Sequence, residues 1–317
     1  MSASASRNPR NRAVQSFQEF WIKTSLWLSA AFSIALTVVI LLILLGEAWR
    51  FFADDSITFG EFFGSLEWTP TVGSTPESKS FGVWPLVCGT LIVTVIAIGI
   101  AVPLGLVTAI FLSEYAPRRV RAFLKPALEI LAGIPTVVYG FFALTFITPS
   151  LNWVHRLFFG ERGFGAFNAA SAGIAVGILC LPIITSLTED ALRAVPRSLR
   201  EAAYGLGGTR FEVAVRVVVP AALSGIVSAV LLAVARTIGE TMIVALAAGS
   251  TPRITADPRE GVQTMTGFMV QIAGGDFSNF GIEYLSMYAV AAVLFAMTFA
   301  LTLLGHRIRV RFREAYQ

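Results

Sequence analysis

The sequence predicts an all-α membrane protein with six transmembrane helices and both termini in the cytoplasm. Three observations predict it: too little charge for a soluble globule, six uncharged apolar stretches, and a one-sided distribution of basic residues. Of 317 residues, 55% are hydrophobic and only 14% charged, whereas soluble domains carry about 25% charge. Mean hydropathy is +0.72. A soluble domain of this size needs more polar surface to stay dispersed, so the bilayer is the expected solvent.

A helix needs about 20 apolar residues to cross the hydrocarbon core. Six stretches qualify: residues 25–46, a segment within 81–113, 130–148, 169–188, 219–246 and 284–305. The first begins only near Ser25 and is too long for the apolar region of a signal peptide, so it is expected to remain as a helix. The second exceeds what a bilayer requires, and 81–86 is expected to lie along the interface. Pro103, Pro135 and Pro182 punctuate three of the spans. Each frees a backbone carbonyl that a neighbouring helix or water must satisfy.

Orientation follows from Lys and Arg in the loops. Arg7, Arg10, Arg12 and Lys23 precede the first span, and Arg118, Arg119, Arg121 and Lys125 follow the second. Arg193, Arg197, Arg200, Arg210 and Arg216 follow the fourth, and Arg307, Arg309, Arg311 and Arg313 follow the sixth. That is 17 basic residues on one side, against six (Arg50, Lys79, Arg156, Arg162, Arg253 and Arg259) on the other. The bias places both termini in the cytoplasm, as an even number of spans requires. The chain divides into a basic tail (1–24), a first span (25–46), an external loop (47–80), a transmembrane domain (81–305) with a cytoplasmic loop at 189–218, and a second basic tail (306–317).

The net charge of +4 does not point to nucleic acid, because the basic residues follow one membrane face. The external loops carry Asp54, Asp55, Glu61, Glu67 and Glu77, which read as a solvated face. Cys88 and Cys180 both lie in apolar stretches and build no metal or disulfide pattern. His155 and His306 fall on opposite sides of the predicted topology, and no nucleophile elbow is present. A membrane enzyme is therefore disfavoured.

The loop 189–220 is too organised for a plain connector. Ser198 followed by Glu201, and Thr209 followed by Glu212, fit two capping boxes. Gly205, Gly207 and Gly208 break the chain between them. The expected result is a short amphipathic helix, a glycine break, and a second helix entering span five. Such a helix suits docking of a cytosolic partner. No Gly-x-x-x-x-Gly-Lys-Ser/Thr phosphate loop occurs anywhere in the chain, so no nucleotide-binding site is expected here.

Glu201-Ala202-Ala203, followed by Gly207 and then Val217-x-Val219-Pro220, resembles the EAA motif of ABC-importer permeases, with valines where the family has Ile-x-Leu. The resemblance implies a type I importer permease fold. It makes the segment a coupling helix seated in a cleft of an ATP-binding subunit, with Glu201, Ala202, Ala203, Gly207 and Pro220 carrying the coupling role. ATP and Mg are then used by the partner, and this chain binds no cofactor itself.

Span five carries Arg236 and Glu240, four residues apart and so on one helical face. Either would cost about 2.5–3.5 kcal/mol at a helix centre facing lipid. Two readings stand: a transport-path site, with Arg236 attracting an anion and Glu240 holding the guanidinium, or a structural pair fixing register. Thr237 and Thr241 add hydroxyls to the path, or bond their own helix.

Phe81-Gly-Val-Trp-Pro-Leu-Val-Cys-Gly-Thr, Ala101-Val-Pro-Leu-Gly, Phe111-Leu-Ser-Glu-Tyr-Ala-Pro and Leu131-Ala-Gly-Ile-Pro-Thr-Val-Val-Tyr-Gly resemble the PstC-type permeases of phosphate ABC importers. This resemblance covers roughly 81–305. It implies phosphate as cargo, moved by alternating access. It also implies a PstA-type second permease, two PstB-type ATP-binding subunits and a periplasmic PstS-type phosphate-binding protein. Composition and spacing say only that an anion suits Arg236, so molybdate or sulfate stays open as cargo. A stand-alone secondary transporter or channel lacks support from any evident inverted repeat, and a pure scaffold leaves the charged pair unexplained.

Overall fold

The computed structural model describes residues 9–54, 57–70, 79–161, 163–275 and 281–311, with side chains between 18 and 308. Arg7, Asp55, Glu77, Arg162 and Arg313 lie outside these ranges. So do the side chains of Arg10, Arg12, Arg309 and Arg311.

The described chain is helical: α1 (Pro9–Phe52), α2 (Phe59–Gly64), α3 (Trp84–Ile110), α4 (Arg118–Ala132), α5 (Thr136–Phe142), α6 (Thr148–Phe159) and α7 (Ala169–Ala194), then α8 (Arg197–Gly205), α9 (Arg210–Val213), α10 (Val219–Ala221), α11 (Leu223–Ile238), α12 (Met242–Ala247), α13 (Met265–Ala273) and α14 (Ile282–Arg311). Among the described residues no strand forms beyond an isolated bridge between Trp68 and Phe81. Among the described residues five helical stretches are long and apolar enough to cross a membrane: Gln18–Phe52, Trp84–Tyr115, Thr136–Phe159, Ala169–Ala194 and Ile282–Ile308. Arg210–Ala221 and Leu223–Ile238, bent by 70° at their junction, make a sixth when the pair is counted as one span.

Prolines shape these helices in two ways. Pro103 and Pro182 sit inside continuous helices. Three single π-helical turns, Phe111–Tyr115, Ala143–Ile147 and Ala214–Val218, end two residues ahead of Pro117, Pro149 and Pro220. A proline ring clashes with the carbonyl four residues back. A turn widened to the π register moves that carbonyl aside.

Residues 81–83 precede α3, which starts at Trp84, and Phe81 and Val83 are buried. Three sequence expectations are corrected here. The third span begins at Thr136 rather than 130, because Pro135 holds an extended ψ of 136° and ends the preceding helix. It continues past 148 to Phe159, since the π-helical turn Ala143–Ile147 accommodates Pro149. The fifth span is not one helix over 219–246. The chain turns at Ala222, runs as α11, breaks at Gly239–Thr241 and resumes as α12.

The centre of the bundle is the parallel pair α3 and α7, packed on small residues. Gly173 and Gly177 of α7 lie against Ile96 and Ala97 of α3, and Gly105 of α3 lies against Ile184. Without a hydrophobic force between helices in lipid, close backbone approach supplies the attraction. α5, α11 and α12 complete this core through Tyr139, Ala233, Ile243 and Val244. α11 runs back along α7 (Gly225 at Ala191), and α14 runs back along α11 (Gly305 at Leu231). An aromatic cluster of Phe51, Phe62, Trp68, Phe81 and Phe268 closes the end opposite the 189–220 loop. There the extended segment between α12 and α13 fastens the start of α7. The amides of Ala169 and Ala170 donate to the Glu260 and Pro258 carbonyls, and the Asn168 side chain accepts from the Ser171 amide at 2.7 Å. In the same segment the Asp257 carboxyl, hydrogen-bonded by the Arg259 side chain, is held down at about 2.

Candidate transport pathway and coupling loop

α11 is only 16 residues long, about 24 Å at the helical rise, and falls short of a bilayer core of about 30 Å. The six residues of α12 follow it after the break at Gly239–Thr241. A break inside a membrane leaves backbone groups that must find partners. The Thr266 hydroxyl, from the first turn of α13, donates to the Glu240 carbonyl at 2.6 Å. The Glu240 carboxylate accepts from the Ile243 amide at 3.4 Å and so caps α12.

Arg236 stands one turn before the break on the outer face of α11, 45% exposed, while Glu240 is 3% exposed. Their closest atoms, Nη2 and Oε2, are 3.8 Å apart, so the guanidinium is held on one side and open on the other. Leu232 and Gly239 continue the same exposed stripe. Thr241 is half-buried, its hydroxyl donating to the Gly239 carbonyl at 3.1 Å. Thr237 faces inward. Its hydroxyl donates to the Ala233 carbonyl at 2.8 Å and lies 3.3 Å from Cys180 Sγ. The fold therefore brings Arg236, Glu240 and Thr241 to the broken segment and turns Thr237 into the α7 interface.

At the other end of α11, α8 follows α7 after Val195 and Pro196. The Ser198–Glu201 capping box does not form: Pro196 is the N-cap, so Ser198 already lies inside the first turn. The Thr209–Glu212 box does form. The Glu212 amide donates to the Thr209 hydroxyl at 3.3 Å, and the Thr209 amide to the Glu212 carboxylate at 3.0 Å. Gly207, at φ +85°, makes the reversal that a side chain would strain. Glu201, Ala202 and Pro220 are exposed, Ala203 is half-buried, and Leu206 is 91% exposed with Tyr204 and Phe211 beside it. A polar-capped knob with bare apolar tips is thus presented beyond the bundle, anchored below by Leu192, Val195, Val213 and Val218.

Periodicity gives no sign of two ion-pair groups beneath this loop. Glu189, fully buried near the end of α7, meets Arg121 and Lys125 (3.2 Å) of α4 and Arg193 (3.8 Å) of its own helix. Neither of its oxygens has a well-aligned hydrogen bond. Burial pulls the Lys125 ammonium down, but the hydrogen bond to Asp190 and the charges of Glu189 and Asp190 outweigh it and leave its pKa raised. An apolar cavity of about 300 Å³ lies beside this cluster, between α4 and α7. The second group joins Arg200 of α8 to Glu114 at 3.1 Å. The one available sequence signal is that Glu114 and Glu189 each end an uncharged apolar run.

Five spans and a bent sixth, a broken helix beside a half-open arginine, and an anchored knob at its entry suit a membrane permease. The family described as binding-protein-dependent transport system inner membrane component matches residues 101–314. The chain belongs to this family, and is a multi-pass permease component of an ABC importer. It is 34% identical over 275 residues to the probable ABC transporter permease protein YqgH of Bacillus subtilis, spanning 87% of this chain and 85% of that protein. It is 35% identical over 295 residues to the phosphate transport system permease protein PstC of Mesorhizobium japonicum, spanning 87% and 88%. Similarity extends to the permease PstA 1 of Mycobacterium tuberculosis, 36% identical over 191 residues, 60% of this chain and 59% of that one. In fold it resembles a chain of a bacterial alginate ABC transporter (TM-score 0.65, 15% identity, 94% of this chain and 96% of that one). It also resembles a chain of the inward-facing MetNI methionine ABC transporter (TM-score 0.53, 19% identity, 74% and 95%). These relationships bear out the type I importer permease fold and the PstC-type resemblance.

Proposed function

We propose that this chain is the PstC-type permease subunit of a phosphate importer, carrying inorganic phosphate inward by alternating access. The observation that carries the reading is a half-open Arg236 at a broken intramembrane helix, in a chain 33–35% identical to several PstC permeases. A guanidinium with one side free offers a fork of donors to a tetrahedral oxyanion. Glu240, buried behind it, orients the fork and keeps the unloaded site from holding a net cation in the membrane. The Thr241 hydroxyl lies at the same break.

In this reading the basic termini and α8 face the cytoplasm. The knob of α8, the following turn and α9 docks through Glu201, Ala202, Tyr204, Leu206 and Phe211 onto an ATP-binding subunit, with Ala203, Gly207 and Pro220 shaping it. A PstA-type permease completes the pathway opposite Arg236, two PstB-type subunits bind and hydrolyse ATP with Mg, and a PstS-type protein delivers phosphate. This chain supplies no catalytic group to hydrolysis and holds no cofactor. ATP binding draws the coupling helices together and favours the outward-open state, and hydrolysis resets it.

Competition tests the cargo. In vesicles holding the full complex and its binding protein, excess arsenate is expected to suppress labelled-phosphate uptake, with sulfate and molybdate inert. Uptake of labelled sulfate or molybdate at the phosphate rate would keep the architecture and refute phosphate as the selected cargo.

A further inference from the structure

The outer side of α8 is assigned to docking, but its inner side holds Arg200, only 17% exposed. One Nη donates to the Val195 carbonyl at 3.1 Å, and the other to the Leu192 carbonyl at 2.7 Å. Both carbonyls lie at the C-terminal end of α7, where the Leu192 carbonyl also accepts the Val195 amide at 3.3 Å. The second nitrogen also donates to Glu114 Oε1 at 3.1 Å. Glu114 is 10% exposed, and the same oxygen receives the Ser113 hydroxyl at 2.8 Å. A single side chain on α8 thus grips the ends of both helices that form the centre of the bundle.

The two grips differ in kind. α7 is joined to α8 through the chain itself, so it follows any displacement of α8. α3 is 86 residues away in sequence, and the ion pair ties it to α8 directly. Glu114 also stands in the π-helical turn Phe111–Tyr115. A turn carrying one residue more than an α-turn can shift register without unwinding the helix. A charge-assisted, half-desolvated pair is stiff enough to carry load, and it pulls on a yielding turn. On its other flank the α3–α4 elbow is held by Arg121 and Lys125 at Glu189.

We propose that Arg200 and Glu114 are positioning residues forming the link that carries displacement of α8 into α3, so that α3 and α7 move together when the knob is pushed. The link rests on α8 being the coupling helix, and it adds the path taken inside the membrane domain.

The experiment uses the full complex in proteoliposomes with phosphate-loaded binding protein, reading phosphate transported per ATP hydrolysed. Variants are Glu114→Gln, Arg200→Gln, the double variant, and Glu201→Ala for the docking surface. Glu114→Gln is nearly isosteric and keeps the measurement available if Arg200→Gln assembles poorly. Coupling free energies between sites correspond to factors of about 5 to 150. Glu114→Gln and Arg200→Gln are expected to assemble, hydrolyse ATP, and transport about tenfold less phosphate per ATP. The double variant is expected to lose no more than the worse single, as partners in one interaction do. A merely structural role would lower complex yield and leave transport per ATP unchanged, and that result overturns the proposal. Additive losses in the double variant, or a wild-type ratio in Glu114→Gln, overturn it as well. Failure of the docking reading shows separately, as Glu201→Ala binding and stimulating the ATPase like wild type.

Discussion

Replacing Arg236 by glutamine is expected to cut phosphate uptake about a hundredfold or more, with the complex still assembled. A charge-assisted hydrogen bond to the anion is worth about 1.5–3 kcal/mol, or roughly tenfold to 150-fold. Here the loss is double. The anion loses its guanidinium, and Glu240, at 3% exposure, is left as an unpaired carboxylate that repels phosphate. Arg236→Lys separates charge from geometry: it keeps the charge but loses the planar fork, so partial uptake with weakened competition by arsenate is expected. Glu240 also caps α12, so an uptake measurement needs a parallel measure of complex yield. Wild-type uptake by Arg236→Gln would remove the residue from the pathway and leave it a register pair.

Adding a single methyl group at Gly89 should be nearly as damaging, by a different route. A Cβ there would stand 2.2 Å from the Gln263 carbonyl oxygen and 2.9 Å from its carbon. Both are backbone atoms, so no rotamer change relieves the clash. The segment leading into α13 must move off α3, taking with it the hydrogen bond from the Met265 amide to the Thr90 hydroxyl (3.0 Å, buried). α13 carries Thr266, whose hydroxyl holds the Glu240 carbonyl, so the strain reaches the broken span. Overpacking and a lost buried hydrogen bond together suggest about 3 kcal/mol for Gly89→Ala. Thermal unfolding of the purified complex reads this. A midpoint within 1 °C of wild type would show that α3 and the 249–264 segment are less closely packed than described.

These two positions also show how much of the molecule was legible in its sequence. Spans one, two, four and six follow from uninterrupted apolar length, a property of composition that no tertiary contact alters. The break in span five does not follow, because 219–246 is uncharged apart from Arg236 and Glu240. The break is held by Thr266, a partner 26 residues away. The boundary of span three turned on Pro135, whose position was visible but whose effect depends on the extended backbone it adopts. Of two capping boxes with equally good spacing, only Thr209–Glu212 formed, because Pro196 starts α8 before Ser198 can cap it. Arg236 and Glu240 stand out in a sequence because charge in an apolar run is costly. Glu114 and Arg200 look like ordinary loop charges until the fold sets them 3.1 Å apart.

The most direct measurement is labelled-phosphate uptake into proteoliposomes holding both permeases and the loaded binding protein, with ATP present and the ATP-binding subunits included or left out. Uptake is expected only when those subunits and hydrolysable ATP are both present, with Glu201→Ala impaired in each case. Phosphate accumulation by the permeases without any ATP-binding subunit would contradict an importer driven through the α8 knob.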